Sequence, residues 1–182
     1  VSIAAIGFAG KFSGLWSTVV NAVGTAATIM LSQYVGRKDR EGEYRSFRLT
    51  SLSALLVSII FFLLSFIAPS FIMGLYSRDS EAIAVASSYL RIVSFSFIPM
   101  TLTLMASASL RCNDKAKLPM YATFFSVILN TLLNYVFIFI LRKGAEGAAV
   151  ATVISQVVAT IVVLCFGSRY LPSRTSSQAK GD

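Results

Sequence analysis

The chain contains no histidine. Imidazole proton relays, histidine metal sites and histidine-dependent nucleophile triads are therefore excluded within this sequence. Cysteine is scarce. Cys112 lies in a basic stretch and Cys165 in an apolar run, and the pair gives neither a metal-ligand spacing nor a disulfide framework. Charge is scarce as well. Charged residues make up 13% of the 182 residues, roughly half of what an ordinary soluble domain carries. No aspartate or glutamate falls inside any of the long apolar segments delimited below. That absence argues against membrane enzymes that hold metal between paired carboxylates, and the lack of an aspartate pair and of a Ser–His pair weakens an intramembrane protease reading. No enzyme activity, metal or organic cofactor is expected. No basic stretch leads into an apolar run at the start, as it would in a secretory signal, and residue 1 is Val1 rather than methionine. The chain is therefore expected to begin inside a longer protein.

Apolar residues are abundant, at 55% of the chain, and the mean hydropathy is +0.73. A spanning helix needs about 20 mainly apolar residues. Five segments qualify: Phe12 to Gly36, Leu49 to Tyr76, Ala82 to Leu110, Leu118 to Leu141, and Gly147 to Ser168. Only the third contains a charge, Arg91, near its start. The pattern predicts an all-α polytopic bundle of five spanning helices (12–36, 49–76, 82–110, 118–141 and 147–168). Residues 1–11, with Gly7 and Gly10, read as the end of a preceding truncated helix and an external turn. Residues 169–182 read as a polar tail. Pro99 predicts a kink in the middle of the third span and Pro69 one near the end of the second. Pro119 falls near a helix start, where a missing N–H costs little.

The net charge of +8 is better explained by topology than by nucleic acid, because Lys and Arg concentrate in cytoplasmic loops of membrane proteins. The loop 37–48 holds Arg37, Lys38, Arg40, Arg45 and Arg48; the loop 111–117 holds Arg111, Lys115 and Lys117; the tail holds Arg169, Arg174 and Lys180. Short connections make neighbouring spans antiparallel, which puts these three regions on one side. The other side holds Lys11, Arg78, Arg142 and Lys143, with Arg91 if counted there. Both loops and the tail are therefore expected in the cytoplasm. The bilayer is the expected partner, and a nucleic acid is not.

Polar residues within the spans recur on single helical faces. The first span carries Ser17, Asn21, Thr25, Thr28 and Ser32; the fourth Ser126, Asn130 and Asn134; the fifth Thr152, Gln156 and Thr160. Two readings apply. Small hydroxylated residues let membrane helices approach and bond to one another. Alternatively, the stripes line a hydrated cavity of the kind transporters build near the midplane. Asparagine and glutamine are the more expensive residues in hydrocarbon, so Asn130 and Asn134 favour the cavity.

Several runs resemble the multidrug and toxic compound extrusion (MATE) family. GTAATIMLSQYVGRKD, Gly24 to Asp39, is similar to that family's second-helix exit, with Gln33, Tyr34 and Gly36 at its polar end. YLRIVSFSFIPM, from Tyr89, resembles its fourth helix with its proline, and LRCNDKAKLPM, Leu110 to Met120, its following loop. ILNTLLNYVFIF and GAEGAAVATVISQ resemble its fifth and sixth helices. The resemblance covers about residues 1–170. It implies helices two to six of a twelve-helix, two-lobed transporter: most of the first lobe, with the first helix and the second lobe missing. It implies a multi-pass plasma-membrane protein that exports amphipathic or cationic drug-like compounds in exchange for H+ or Na+. The family's first-lobe ion cluster corresponds to Asn130, Asn134 and Thr152; here Asn134 stands where an acid is usual, and its carbonyl can ligate sodium but not take up a proton. The expected cation and substrate cavity is Asn130, Asn134, Thr152, Asn21 and Gln156. A lipid-linked oligosaccharide or polysaccharide flippase of the same superfamily, and a non-transporting membrane assembly subunit, are the alternatives.

Overall fold

A computed structural model describes residues 2–172; Arg174, Lys180 and the rest of 173–182 of the expected tail lie outside the described residues. Seven α-helices follow in order: α1 (Ser2–Gly36), α2 (Arg40–Ile67), α3 (Pro69–Gly74), α4 (Ser80–Val93), α5 (Phe97–Cys112), α6 (Lys117–Tyr135) and α7 (Gly144–Gly167). A 3₁₀ turn, Ser94–Ser96, joins α4 to α5, and a π turn, Val136–Ile140, prolongs α6. Joined in this way, five helices are long and apolar enough to cross a membrane: α1, α2, α4 with α5, α6 with its π turn, and α7. Large apolar side chains face outward along them, among them Leu15, Leu56, Phe124, Leu132 and Ile161. Hydrocarbon is the solvent that tolerates such a surface, because the helical backbone satisfies its own polar groups.

The turn expected within residues 1–11 is absent, because α1 runs unbroken from Ser2 to Gly36. Ala5, Ala9, Phe12, Trp16 and Val20 form one buried stripe at spacings of three and four. That stripe continues the packed face through the two glycines. The basic connection is also shorter than the expected 37–48. Lys38 takes a left-handed backbone, φ 56, and the Asp39 carboxylate caps α2 by accepting from the Gly42 N–H at 2.9 Å. Glu41 and Glu43 in the first turn suit the positive helix end. So α2 begins at Arg40, and two acids lie within the second spanning helix, outside the apolar run that the charge count delimited. The second span ends early, at Ile67, because Pro69 cannot continue it and instead starts α3.

Pro99 does interrupt the third span, but the break falls upstream, at Ser94–Ser96. Proline has no N–H for the carbonyl four residues back and its ring crowds that carbonyl. Serine side chains take up part of the slack. Ser94 Oγ donates to the Arg91 carbonyl at 2.7 Å and Ser96 Oγ to the Val93 carbonyl at 2.6 Å. Pro119 occupies the first turn of α6, where no intrahelical acceptor needs its N–H.

The main core joins α1, α3, α4, α5 and α7 around Trp16, Met73, Leu90, Phe97 and Ala149. Trp16 stacks on Phe97 with ring centroids 4.3 Å apart. The buried face of α2 is small and mostly polar: Ser46, Thr50, Ala54, Ser58 and Ser65. Such faces permit close approach between membrane helices. Across it runs a proton-ordered chain. Trp16 Nε1 donates to Ser58 Oγ at 2.9 Å, Ser58 Oγ bonds Thr101 Oγ1, and Thr101 Oγ1 donates to the Phe97 carbonyl at 2.8 Å. Thr101 has one hydroxyl hydrogen and spends it on Phe97, so Ser58 is the donor of the middle bond. Three consecutive spans are thereby tied by one polar thread. By contrast, α6 packs mainly on α7, and most of its surface is exposed.

Candidate functional site

Asn130 and Asn134 lie one turn apart on α6 and bond to each other, and Asn130 reaches Thr152 across the α6–α7 contact. Thr152, on α7, donates its hydroxyl hydrogen to the Ala148 carbonyl at 3.0 Å. Its oxygen is left as an acceptor and receives a long contact, 3.5 Å, from Asn130 Nδ2. Asn134 Nδ2 donates to Asn130 Oδ1 at 3.0 Å. The donors therefore all point one way, from Asn134 through Asn130 and Thr152 to the Ala148 carbonyl, and at the head of the row Asn134 Oδ1 is buried without a partner. A buried carbonyl oxygen without a donor is costly, by about 1–3 kcal/mol. This end of the row suits a water, a protonated group or a small cation.

A hard cation fits these oxygens in kind, because amide and hydroxyl oxygens ligate sodium-like ions. They supply no charge. Among the described residues no cluster of three or more aspartates, glutamates, cysteines or histidines could hold a metal. The three polar oxygens would thus form part of an ion shell and leave its charge to another group.

Asn21 and Gln156 belong to a second place. They line a cleft of about 200 Å³ between α1, α5, α6 and α7, together with Trp16, Ser17, Thr103, Ser107, Arg111 and Thr123. Asn130, Asn134 and Thr152 do not line it. The five expected residues therefore fall into two groups, which share one face of α7: Gln156 follows Thr152 by one turn. Thr160, a turn further on, bonds Thr103 at 2.9 Å and contacts the Pro99 carbonyl at 2.9 Å. The stripe on α1 divides likewise. Asn21 Nδ2 bonds Ser17 at its carbonyl, 2.8 Å, and its hydroxyl, 3.0 Å. Further along, Thr25 and Thr28 return their hydroxyls to carbonyls of their own helix and lie outside the cleft.

Sequence reasoning missed the contribution of α5. Thr103, Ser107 and Arg111 recur every four residues and present one face to the cleft. The same spacing that exposed the other stripes was available here. Arg111 also borders an apolar groove formed by Ala116, Pro119, Met120, Phe124 and Val127. The ion pairs among the described residues are Arg40–Glu43 and Arg45–Glu41, so the Arg111 guanidinium has no carboxylate partner. Arg91 sits elsewhere, 5.6 Å from the centre of the Phe66 ring.

Five spanning helices with a polar row and a polar cleft among them define a polytopic helical membrane protein. The family follows from comparison. The MatE family model matches residues 1–136, and the chain belongs to that family. It is 29% identical over 167 residues to the probable multidrug resistance protein YpnP of Bacillus subtilis, covering 89% of this chain and 37% of that protein. It is 33% identical over 111 residues to Protein DETOXIFICATION 43 of Arabidopsis thaliana, covering 61% of this chain and 21% of the relative. Its fold matches a crystal structure of MATE in the bent conformation with a TM-score of 0.85 at 22% identity, over 96% of this chain and 42% of the other. An inward-facing MATE family transporter of the MOP superfamily matches with a TM-score of 0.74 at 23% identity, over 91% of this chain and 38% of the other. The chain therefore spans well under half the length of these relatives.

Proposed function

We propose that this chain is the larger part of the first lobe of a secondary efflux transporter in the plasma membrane. The full-length protein exports amphipathic organic compounds in exchange for H+ or Na+. The observation that carries the reading is the row Thr152–Asn130–Asn134, which ends on a buried carbonyl oxygen with no donor. Two amides and a hydroxyl in one row are costlier in hydrocarbon than close packing of helices requires, which favours a hydrated path over packing alone. The ends bearing the Arg37–Asp39 turn and the 113–116 turn face the cytoplasm on this reading, in keeping with their basic residues. Ion binding at the row and substrate binding in the cleft favour different arrangements of the lobes. Exchange follows from that difference in affinity.

The row lacks a carboxylate, so the charge that balances a bound ion comes from a part of the full-length protein beyond these five spans. The cleft holds no acidic side chain either. A preference for cationic compounds would therefore arise on surfaces outside it.

The test is uptake of a fluorescent amphipathic dye into vesicles carrying the full-length protein, with an imposed proton or sodium gradient. Transport should depend on one of the two gradients. Asn134→Leu, which removes the open oxygen while filling its volume, should lower gradient-driven transport by about tenfold or more, as loss of one ligand from a small ion shell does. No dye movement under either gradient would reject the reading, and full coupling in the Asn134→Leu protein would move the ion site elsewhere.

A further inference from the structure

Arg91 is the one charge inside the apolar runs, and the bias that accounts for the basic turns does not account for it, because it lies toward the opposite end of the bundle. Its depth follows from α2. Leu49 to Ile67 rises about 28 Å at 1.5 Å per residue, close to the roughly 30 Å of a hydrocarbon core. Phe66, next to last in α2, therefore lies at the edge of the hydrocarbon, where lipid phosphates begin. The Arg91 Cζ is 5.6 Å from the centre of the Phe66 ring, which sets the guanidinium at the same level. An aromatic ring steadies the charge but is a poor acceptor for five N–H donors. Among the described residues Arg91 has no ion pair. Asp79 and Glu81 stand at the start of α4, and Glu81, the nearer, is about 15 Å away along the axis. Glu146 of α7 accepts from Ser88 instead. Beside the guanidinium, Phe62, Phe66 and Phe95 pack edge to face, with Phe95 5.3 Å from Phe62 and 5.8 Å from Phe66. Phe66 and Phe95 are both exposed on the outward surface, and Phe95 belongs to the 3₁₀ turn that breaks the third span.

We propose that Arg91 and this phenylalanine cluster form a binding site for an anionic phospholipid, in the leaflet away from the basic turns, with the phosphate on the guanidinium and the upper acyl chain on the rings. The site stands apart from the transport reading. A charge at the edge of hydrocarbon is expensive without a partner, and a phosphate accepts two parallel N–H bonds from the arginine fork. A headgroup with one net negative charge, such as phosphatidylglycerol, neutralises the guanidinium. Phosphatidylcholine brings a cation of its own and does not. The rings face hydrocarbon already, so an acyl chain is their natural neighbour. An occupant of the site touches α2 and the break in the third span at once.

Photo-cross-linking of the full-length protein in lipid nanodiscs reads the site in place. Phosphatidylglycerol and phosphatidylcholine carry the same diazirine near the head of one acyl chain and are supplied at equal mole fraction. Peptide mass spectrometry then locates the adducts. Phosphatidylglycerol should label residues 62–66 and 95 about fivefold more than phosphatidylcholine, the scale of one cationic side chain at a membrane surface. Arg91→Gln should abolish that preference. Arg91→Lys should keep part of it, since it retains the charge and loses the fork. Labelling beside Arg37 and Lys38, at the other end of the bundle, should be the same in all three proteins and serves as the measure of correct folding. If Arg91→Gln fails that measure, the preference in the wild-type protein and its partial loss in Arg91→Lys decide. Equal labelling of 62–66 and 95 by the two lipids, or an undiminished preference in Arg91→Gln, would overturn the proposal. Displacement by inorganic phosphate, at a concentration that leaves the Arg37 end labelled, would assign Arg91 to a soluble anion and overturn it as well.

Discussion

Ser58→Ala is the substitution whose cost the structure fixes most closely. Ser58 is fully buried between α1, α2 and α5 and serves as acceptor to Trp16 and donor to Thr101. Alanine leaves the helix propensity and the packing face of α2 almost unchanged. It strips the acceptor from the Trp16 N–H, whose residue is 3% exposed. Thr101 suffers less, since its own hydrogen stays on the Phe97 carbonyl. An orphaned buried donor costs about 1–3 kcal/mol, while interhelical bonds in membrane proteins average about 0.6 and reach about 1.7 kcal/mol. The net expectation is a loss of about 1–2 kcal/mol. Thr101→Val should cost less, about 0.5–1 kcal/mol, because the freed Ser58 hydroxyl can turn to a carbonyl of its own helix. Trp16→Phe deletes the donor and leaves Ser58 bonded to Thr101. The double-mutant cycle of Trp16→Phe with Ser58→Ala should therefore show a coupling of about 0.6–1.7 kcal/mol. Reversible unfolding of the full-length protein in mixed detergent micelles measures all four proteins. A coupling near zero, or a larger loss from Thr101→Val than from Ser58→Ala, would refute the assigned direction of the thread.

Two more stability effects follow from the packing. Glu43, 1% exposed, accepts from Asn113 and pairs with Arg40, whose side chain is 60% exposed. Glu43→Ala should cost about 2–3 kcal/mol through the lost charged bond and the buried gap, and Arg40→Ala below about 1 kcal/mol, in the same unfolding assay. Gly147→Ala should destabilise by about 1–3 kcal/mol, the usual cost of overpacking. The added carbon would lie 3.0 Å from Phe137 Cβ and 3.2 Å from the Phe137 backbone oxygen, and a backbone atom cannot swing aside. A neutral Gly147→Ala would show that the α6–α7 contact is looser than drawn.

The number of spans and their order were legible because each is a long run without charge, and only hydrocarbon calls for such runs. Their ends were less so. Helices end where caps and turn geometry say, not where hydropathy falls, which is why Asp39 and Lys38 carried α2 back to Arg40. The third span shows the same limit from another side. Pro99 announced a break, but the strain of a proline acts on the turn before it, at Ser94–Ser96. Within the site, the four-residue spacing put Asn130 and Asn134 on one face of α6, while it was the family resemblance, and not spacing, that joined Thr152 of α7 to them. Spacing could not separate them from Asn21 and Gln156, since that depends on how α1 and α5 lean against α7. The α5 stripe has the same spacing, but its last member, Arg111, stands at a helix end, where topology alone already explains a basic residue.

The serines at the third span's break have a mechanical consequence. A helix interrupted in lipid normally bares carbonyl groups, and straightening or sharpening the bend changes how many are bare. Here the hydroxyls of Ser94 and Ser96 donate to the Arg91 and Val93 carbonyls on the turn at the break. The bend thus carries two hydrogen bonds supplied by side chains within it, so part of its fixing comes from its own sequence and needs neither a neighbouring helix nor a water drawn into lipid.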